Sequence, residues 1–371
     1  MQKKYISIGL MSGTSGDGVD ASVISSNGVD KYESIKNKYY QYDDEVYNKI
    51  HDLKEQINSP QDLKKNSSAI SDLERKITLF HAKIIKDLNL NEDNPLIGFH
   101  GQTIYHNAKE KISNQLGDAK LLFQLTKKKI IFNFRKNDIS NGGEGAPLTP
   151  IYHQLIASQK KIGLPVCILN IGGISNVTLI NKPINSFEIF SKDIGPGNCL
   201  IDNWVRKNSN QKFDLNGLLA SKGKINEIIF EQAQELYRNR KNKNKASYDT
   251  NDFDVSFTRG LSIEDGAATL TEFTASILGE SLSSFLNKIK FIDILVCGGG
   301  RKNKILVEGI KKNLPKSINL KLIDELNING DFIESQAFAF LAIRSIKKLP
   351  ISFPNTTNCS RPISGGEIVD N

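Results

Sequence analysis

Asp193 is the carboxylate that the sequence marks as a general base. It follows the apolar-rich run Ser186 to Lys192 and precedes Gly195-Pro196-Gly197, a rigid turn that exposes a side chain and brings backbone donors near it. Beside a triphosphate, a carboxylate needs only to be ionised and within hydrogen-bond reach of the attacking oxygen. The same aspartate also reads as a cap for the helix expected from Leu200 to Arg206. Gly13-Thr14-Ser15-Gly16-Asp17-Gly18-Val19-Asp20 is too short for a P-loop and lacks its lysine. Its chemistry still suits phosphate: glycines admit oxygens to backbone N–H groups, Thr14 and Ser15 add hydroxyl donors, and Asp17 or Asp20 can hold a hydrated Mg²⁺. A tight hairpin that needs glycine for positive φ explains the segment equally well. Gly172 and Gly173, within Asn170 to Asn176, repeat the logic. Gly298-Gly299-Gly300, after a buried strand, lets the main chain approach a flat ligand such as adenine or ribose. Each turn alone is weak; several at strand ends, with Gly195 and Gly197 beside Asp193, favour a nucleotide.

A second set of residues suits a polar small molecule. His100-Gly101-Gln102-Thr103 combines an imidazole and an amide fit for sugar hydroxyls and an N-acetyl group, and Arg135 can pair bidentately with a carboxylate. A satisfied core histidine and a surface ion pair are the alternatives. Glu334, with Gln336 near it, opens a helix and either binds a hydroxyl or favours the helix N-terminus. His51, His81 and His153 fall in helical patterns and read as structural. No His, Cys or carboxylate cluster has metal-ligand spacing. Cys167, Cys199, Cys297 and Cys359 are far apart and form no CxxC pair, so reduced thiols are expected.

These residues must be positioned by strands and helices. Tyr5 to Met11 and Val19 to Ser25 read as a hairpin around Ser12 to Gly18. Asp43 to Ile57 and Ser59 to Leu90 carry a helical period, with Ser59 as cap and Pro60 in the first turn, as one long helix or two. Pro95 to Phe99 and Ile130 to Phe134 read as strands ending at His100 and Arg135, where open α/β sheets bind ligands. From Pro165 the pattern restarts: Val166 to Asn170, a turn to Asn176, Val177 to Ile180, then Ser186 to Lys192. Two strand, turn, strand units suggest a duplicated architecture. Lys222 to Asp252 reads as a polar helix and charged loop, Ala267 to Leu286 as a long helix, Phe291 to Val296 as a strand, Asn303 to Lys312 and Phe332 to Ile346 as helices. The tail from Pro350 reads as irregular.

Length points to two domains, since 371 residues exceed what one core organises. Hydrophobic residues at 39% and charged residues at 24% describe a chain that folds throughout. The net charge of +8 permits a nucleic-acid or membrane partner, yet the basic runs, Lys127 to Lys129 and Arg238 to Lys245, lack interleaved aromatic platforms. A solvated surface, no nucleic-acid partner and no membrane partner are expected; the field helps attract anionic small molecules. Neither a signal peptide nor a membrane span is readable, so the cytoplasm is expected.

Taken together, the segments resemble the anhydro-N-acetylmuramic acid kinase family: GLMSGTSGDGVD from Gly9, GFHGQT from Gly98, NFRKNDISNGGEGAPLTPIYH from Asn133, LNIGGISNVT from Leu169, KDIGPGN from Lys192, CGGG from Cys297 and DFIESQAFAFLA from Asp331. The resemblance implies a two-domain, actin-like and hexokinase-like α/β fold of duplicated ribonuclease H-like mixed sheets with a central nucleotide cleft. It places residues 1–134 with 350–371 in one lobe and 135–349 in the other. It implies ATP and Mg²⁺ as co-substrates, an anhydro-amino-sugar as acceptor, and a homodimer. Gly13 to Asp20 falls on the ATP segment, Asp193 on the catalytic base, His100 to Thr103 and Arg135 on sugar contacts, and Glu334 on a substrate-side glutamate. The product implied is N-acetylmuramic acid 6-phosphate, in peptidoglycan recycling. Gly16, Asn133, Glu144 and Asn358 depart from the leucine, aspartate, glutamine and glycine that the pattern leads one to expect. Two alternatives remain: a kinase of the same fold on another anhydro-sugar or hexose, and an actin-like or chaperone-like ATPase without a sugar substrate.

Overall fold

A computed structural model describes residues 3–90, 94–184, 186, 188–239, 248, 250–289 and 291–370. The strands among them, in chain order, are β1 (Tyr5–Ser12), β2 (Gly18–Ser26), β3 (Tyr32–Gln41), β4 (Leu96–Asn107), β5 (Ile112–Leu116), β6 (Ile130–Phe132), β7 (Val166–Ile171), β8 (Ile174–Ile180), β9 (Ile189–Pro196), β10 (Ile292–Cys297), β11 (Ile318–Leu322) and β12 (Glu367–Val369). The chain divides into two compact units. One comprises Met1–Leu164, Ile180–Phe190 and Phe332–Asn371, and the other Pro165–Leu179 and Ser191–Asp331. Arg135 to Leu164 and the helix Ile333–Ile346 therefore pack within the first unit.

In the first unit the sheet runs β12-β6-β4-β1-β2-β3, with β5 beside β4. β1 and β2 form the expected antiparallel hairpin, and β1, β4 and β6 run parallel. The helix Ile333–Ile346 is buried almost all round, its central run Ala337 to Ile343 being apolar throughout. It lies against the sheet so closely that a Cβ at Gly9 would stand 1.8 Å from the Ser335 carbonyl, and one at Gly98 would stand 2.3 Å from that of Phe338. These two glycines serve packing. The span from Asp43 to Leu90 folds as three helices, Asp44–Gln56, Pro60–Lys65 and Ser67–Leu88, rather than one or two. Asp43 caps the first, and Ser59 caps the second with Pro60 at its start.

Several boundaries differ from expectation for local reasons. β4 does not stop at Phe99 but runs through His100 to Asn107, because a bulge absorbs the extra residue: Leu10 pairs with Phe99 and Met11 with Gly101, at φ +73°. β6 stops at Phe132, Asn133 takes a left-handed φ of +52°, and Arg135 starts the short helix Lys136–Ser140. β3, unexpected in a stretch of lysines and tyrosines, is a half-exposed edge strand paired with β2. The tail supplies the turn of helix Pro354–Thr357 and the edge strand β12, instead of remaining irregular.

In the second unit the sheet order is β11-β10-β7-β8-β9, with β7, β10 and β11 parallel. Counted from the start of each unit, the order third, second, first, fourth is the same in both sheets, and in both the first and fourth strands run parallel. This is the duplicated mixed-sheet α/β architecture that the resemblance implied. β9 runs on to Pro196, so Asp193 lies inside a strand and not at its end. The helices Cys199–Asn208, Glu227–Asn239, Ile263–Phe285 and Lys304–Lys312 complete the unit; the charged loop expected after Asn239 lies largely outside the described residues.

Candidate active site

The glycine hairpin of the first unit is braced from below. The single hydroxyl proton of Ser12 is shared between Gln102 Oε1, at 2.6 Å, and the Gly18 carbonyl, at 3.0 Å, while Gln102 Nε2 donates to the Gly13 carbonyl at 3.0 Å. Gln102 is 0% exposed, so its amide holds the hairpin in shape. His51 Nε2 donates to the Ser15 carbonyl at 2.9 Å and Lys54 to that of Thr14 at 2.6 Å, two contacts that the helical pattern around His51 did not signal. Gly16 needs its φ of +62°. Gly13 does not need to be glycine for packing, because a Cβ there would meet nothing nearer than Ser15 Oγ at 3.8 Å. Gly13 shares that freedom with Gly142, Gly163 and Gly260, where an added Cβ would meet nothing within 4 Å. Asp17 accepts from Ser15, and burial followed by the Asp17 charge pushes the Tyr39 phenol well above its usual range. Val19 is buried in the core, so its side chain serves packing, whereas Asp20 lies half-buried on β2 opposite Met11.

The bulge at His100 and Gly101 brings the imidazole to Arg135. Arg135 Nη2 stands 3.0 Å from His100 Nε2, and Nη1 donates to the Gly145 carbonyl at 3.0 Å. His100 Nδ1 stands 2.8 Å from the Gly101 carbonyl, which fixes the proton there and leaves Nε2 as acceptor. Burial, then the Arg135 charge, holds the His100 pKa down to about 3, so the ring is neutral. His106, which sequence reasoning passed over, is held down to about 4 first by burial and then by the same arginine. Thr103 is half-buried and takes a hydrogen bond from Gln115 at 3.3 Å. Glu334 stands in the first turn of its helix, and the neighbouring Gln336 is engaged with Tyr152, Ser34 and Asn37.

In the second unit three glycine turns meet. The N–H groups of Gly197 and Asn198 donate to the carbonyls of Gly173 and Gly172, each at 2.8 Å, so the β7–β8 turn is fastened to the start of helix Cys199–Asn208. A Cβ at Gly197 would lie 2.2 Å from the Gly172 carbonyl, and one at Gly300 would lie 2.2 Å from Ile171. Gly298, at φ +81°, passes Asn170 with no room for a side chain. Gly299 alone of its triplet is unconstrained, with only Asn198 Nδ2 at 3.9 Å. Arg301, 6% exposed, locks this corner: it donates to the Gly298 carbonyl at 3.0 Å, to Asp331 at 2.6 Å and to both oxygens of Asp324 at 2.7 and 3.0 Å. Asp193, 7% exposed, accepts from the Tyr248 N–H at 2.8 Å, and Gly195 follows it within the same strand.

The duplicated mixed-sheet fold and its glycine turns are those expected above of an ATP-dependent sugar kinase, and the comparison with known families puts the chain in that class. The family model for anhydro-N-acetylmuramic acid kinase matches residues 4–371. A protein of that name from Pelagibacter ubique (strain HTCC1062) is 54% identical and covers 100% of both chains. One from Zymomonas mobilis subsp. mobilis is 37% identical, covering 98% of this chain and 99% of its own. A third, from Rhodospirillum rubrum, is 35% identical over 97% of this chain and 92% of its own. The chain belongs to the anhydro-N-acetylmuramic acid kinase family. Membership makes ATP the phosphoryl donor and a small sugar the acceptor. Among the described residues no helix is long and apolar enough to cross a membrane.

Proposed function

We propose that this chain opens the 1,6-anhydro ring of anhydro-N-acetylmuramic acid by hydrolysis and phosphorylates the oxygen it frees, giving N-acetylmuramic acid 6-phosphate for peptidoglycan recycling. The observation that supports the reading is the family match, which spans residues 4–371. Water attacks the anomeric carbon as Asp193 takes its proton, the C1–O6 bond breaks, and O6 takes the γ-phosphoryl group as ADP leaves. Sugar, water and ATP thus become sugar phosphate, ADP and one proton. Arg135, oriented by neutral His100 and the Gly145 carbonyl, holds the lactyl carboxylate. Gly101 gives His100 its place, Gln102 shapes the hairpin, and Thr103 and Glu334 address sugar hydroxyls.

Each unit offers backbone to a nucleotide, the first through Gly13 to Asp20 and the second through Gly172, Gly173, Gly195, Gly197 and Gly298 to Gly300. Mg²⁺ fits this donor set, because an ion carried in on phosphates needs one or two carboxylates rather than a protein cage. Among the described residues no group of three or more His, Cys, Asp or Glu could form such a cage. Asp17 and Asp20 would hold the ion, which neutralises charge on the β- and γ-phosphates when bound. We further infer a cytoplasmic homodimer, which sedimentation checks as twice the 41.3 kDa chain mass.

Incubation with ATP and Mg²⁺ should yield ADP only when the anhydro-sugar is added, with the sugar phosphate as co-product by mass spectrometry. Steady ATP consumption without sugar would instead identify an ATPase of the actin or chaperone type. Asp193→Asn should lower turnover about a thousandfold while leaving nucleotide affinity within about twofold. Near-normal turnover of that variant would remove Asp193 from the role.

A further inference from the structure

Arg135 is held by a loop that has an anchor of its own. The Gly145 carbonyl accepts from Arg135 at 3.0 Å, and the N–H of the same glycine donates to Asp138 Oδ2 at 2.7 Å. Gly145 sits at φ +71°, and a Cβ there would press on Ile139 at 2.8 Å, so this residue has little room to move. Asp138 is 1% exposed. Its other oxygen accepts the hydroxyls of Thr357, at 2.7 Å, and Ser352, both from the C-terminal tail. A carboxylate buried this deeply is tolerated only where donors converge on it, and here they arrive from two segments far apart in the chain.

The tail grips the same loop at further points. Glu144 N–H donates to the Thr357 carbonyl at 2.7 Å, and Asn358 Nδ2 donates to Glu144 Oε1 at 2.9 Å. Asn137 donates to the Ser364 carbonyl at 2.6 Å, and Glu367 receives Asn133 at 2.8 Å together with Lys136. Every one of these bonds acts on residues 133–145, the stretch that carries Arg135. A guanidinium sitting on a loop recognises a carboxylate well only when the loop is fixed to within a fraction of an ångström.

We propose that Asp138, clamped by Ser352 and Thr357, is the positioning residue that sets the Arg135 guanidinium and thereby the preference for a carboxylate-bearing sugar. The inference rests on the reading of Arg135 given above, and the test separates the two. Steady-state constants are measured for anhydro-N-acetylmuramic acid and for the same 1,6-anhydro-amino-sugar without its lactyl ether, with wild type, Arg135→Ala, Asp138→Ala, Asp138→Asn and Thr357→Val. Wild type should favour the acidic sugar and Arg135→Ala should lose that preference. Asp138→Ala should raise KM for the acidic sugar about tenfold or more while KM for the neutral sugar and for ATP stays within about twofold. Thr357→Val should fall between, and carries the test if Asp138→Ala does not fold. Asp138→Asn should recover most of the preference, because its carbonyl oxygen can face Gly145 and its amide can donate to the two hydroxyls. Equal losses on both sugars, or an intact preference in Asp138→Ala and Thr357→Val, would overturn the positioning role while leaving Arg135 in place. A wild type without preference, or an Arg135→Ala that keeps it, would overturn the reading of Arg135 and the inference with it.

Discussion

Gln102 has the chemistry of a sugar-binding amide and is engaged in something else. Both ends of its side chain are hydrogen-bonded inside the first unit, to Ser12 and to the Gly13 carbonyl, so it transmits the position of the β4 bulge to the glycine hairpin. Gln102→Ala should remove both bonds while Ser12 keeps the Gly18 carbonyl and the Gly13 carbonyl keeps the Gly16 N–H, so stability should fall by about 1–2 kcal/mol and KM for ATP should rise more than KM for the sugar. Urea denaturation and steady-state kinetics read both effects, and an unchanged KM for ATP would show that the hairpin keeps its shape without the amide. Residue types were legible at this scale and their partners were not. His100 and Arg135 were singled out separately, for a hydroxyl and a carboxylate; nothing in their spacing says that one accepts from the other. Asp138 stands three places from Arg135 and gave no signal, because two of its three donors lie in the tail and the third is the main chain of Gly145.

At the scale of elements, the close approach of the helix Ile333–Ile346 to β1 and β4 sets the geometry around Glu334 and His100. Gly98→Ala would push a methyl group to 2.3 Å from the Phe338 carbonyl. Relief requires the helix or sheet to shift, so a loss of about 1–3 kcal/mol is expected, seen as a lower urea midpoint; an unchanged midpoint would mean that the contact relaxes freely. Sequence periodicity recovered the buried strands β1, β2, β7 and β10 to within a residue or two, because each holds a dense set of aliphatic residues bounded by polar or glycine turns. It missed β3, β5, β11 and β12, strands at the margins of their sheets and of mixed composition, whose pairing comes from the sheet rather than from their own residues. The ends of β4 and β9 were placed early because His100 and Asp193 are polar residues that the strands carry onward, one through a bulge.

For the whole molecule, the matching strand orders make the duplication visible in a way that the repeated glycine turns only suggested. The first unit also carries three buried histidines and the half-buried His106, all held neutral chiefly by loss of solvent: His81 and His106 down to about 4, His100 and His153 down to about 3. Unfolded, they protonate near pH 6.5. Between those values the unfolded chain binds more protons, so their contribution is fully present above about pH 6.5 and is lost as pH falls to about 4 for His81 and His106 and to about 3 for His100 and His153, at about 1 kcal/mol per pH unit for each histidine. A denaturation midpoint that stays constant from pH 7.5 to 5 would contradict this. The coupled reaction itself is tested most directly with oxygen-labelled water. After turnover of anhydro-N-acetylmuramic acid with ATP, mass spectrometry of fragments should find the label on the anomeric carbon of the sugar phosphate and none on phosphorus. Label in the phosphoryl group, or in inorganic phosphate formed in step with ADP, would mean that water attacks the nucleotide and that ring opening and phosphoryl transfer are not one reaction.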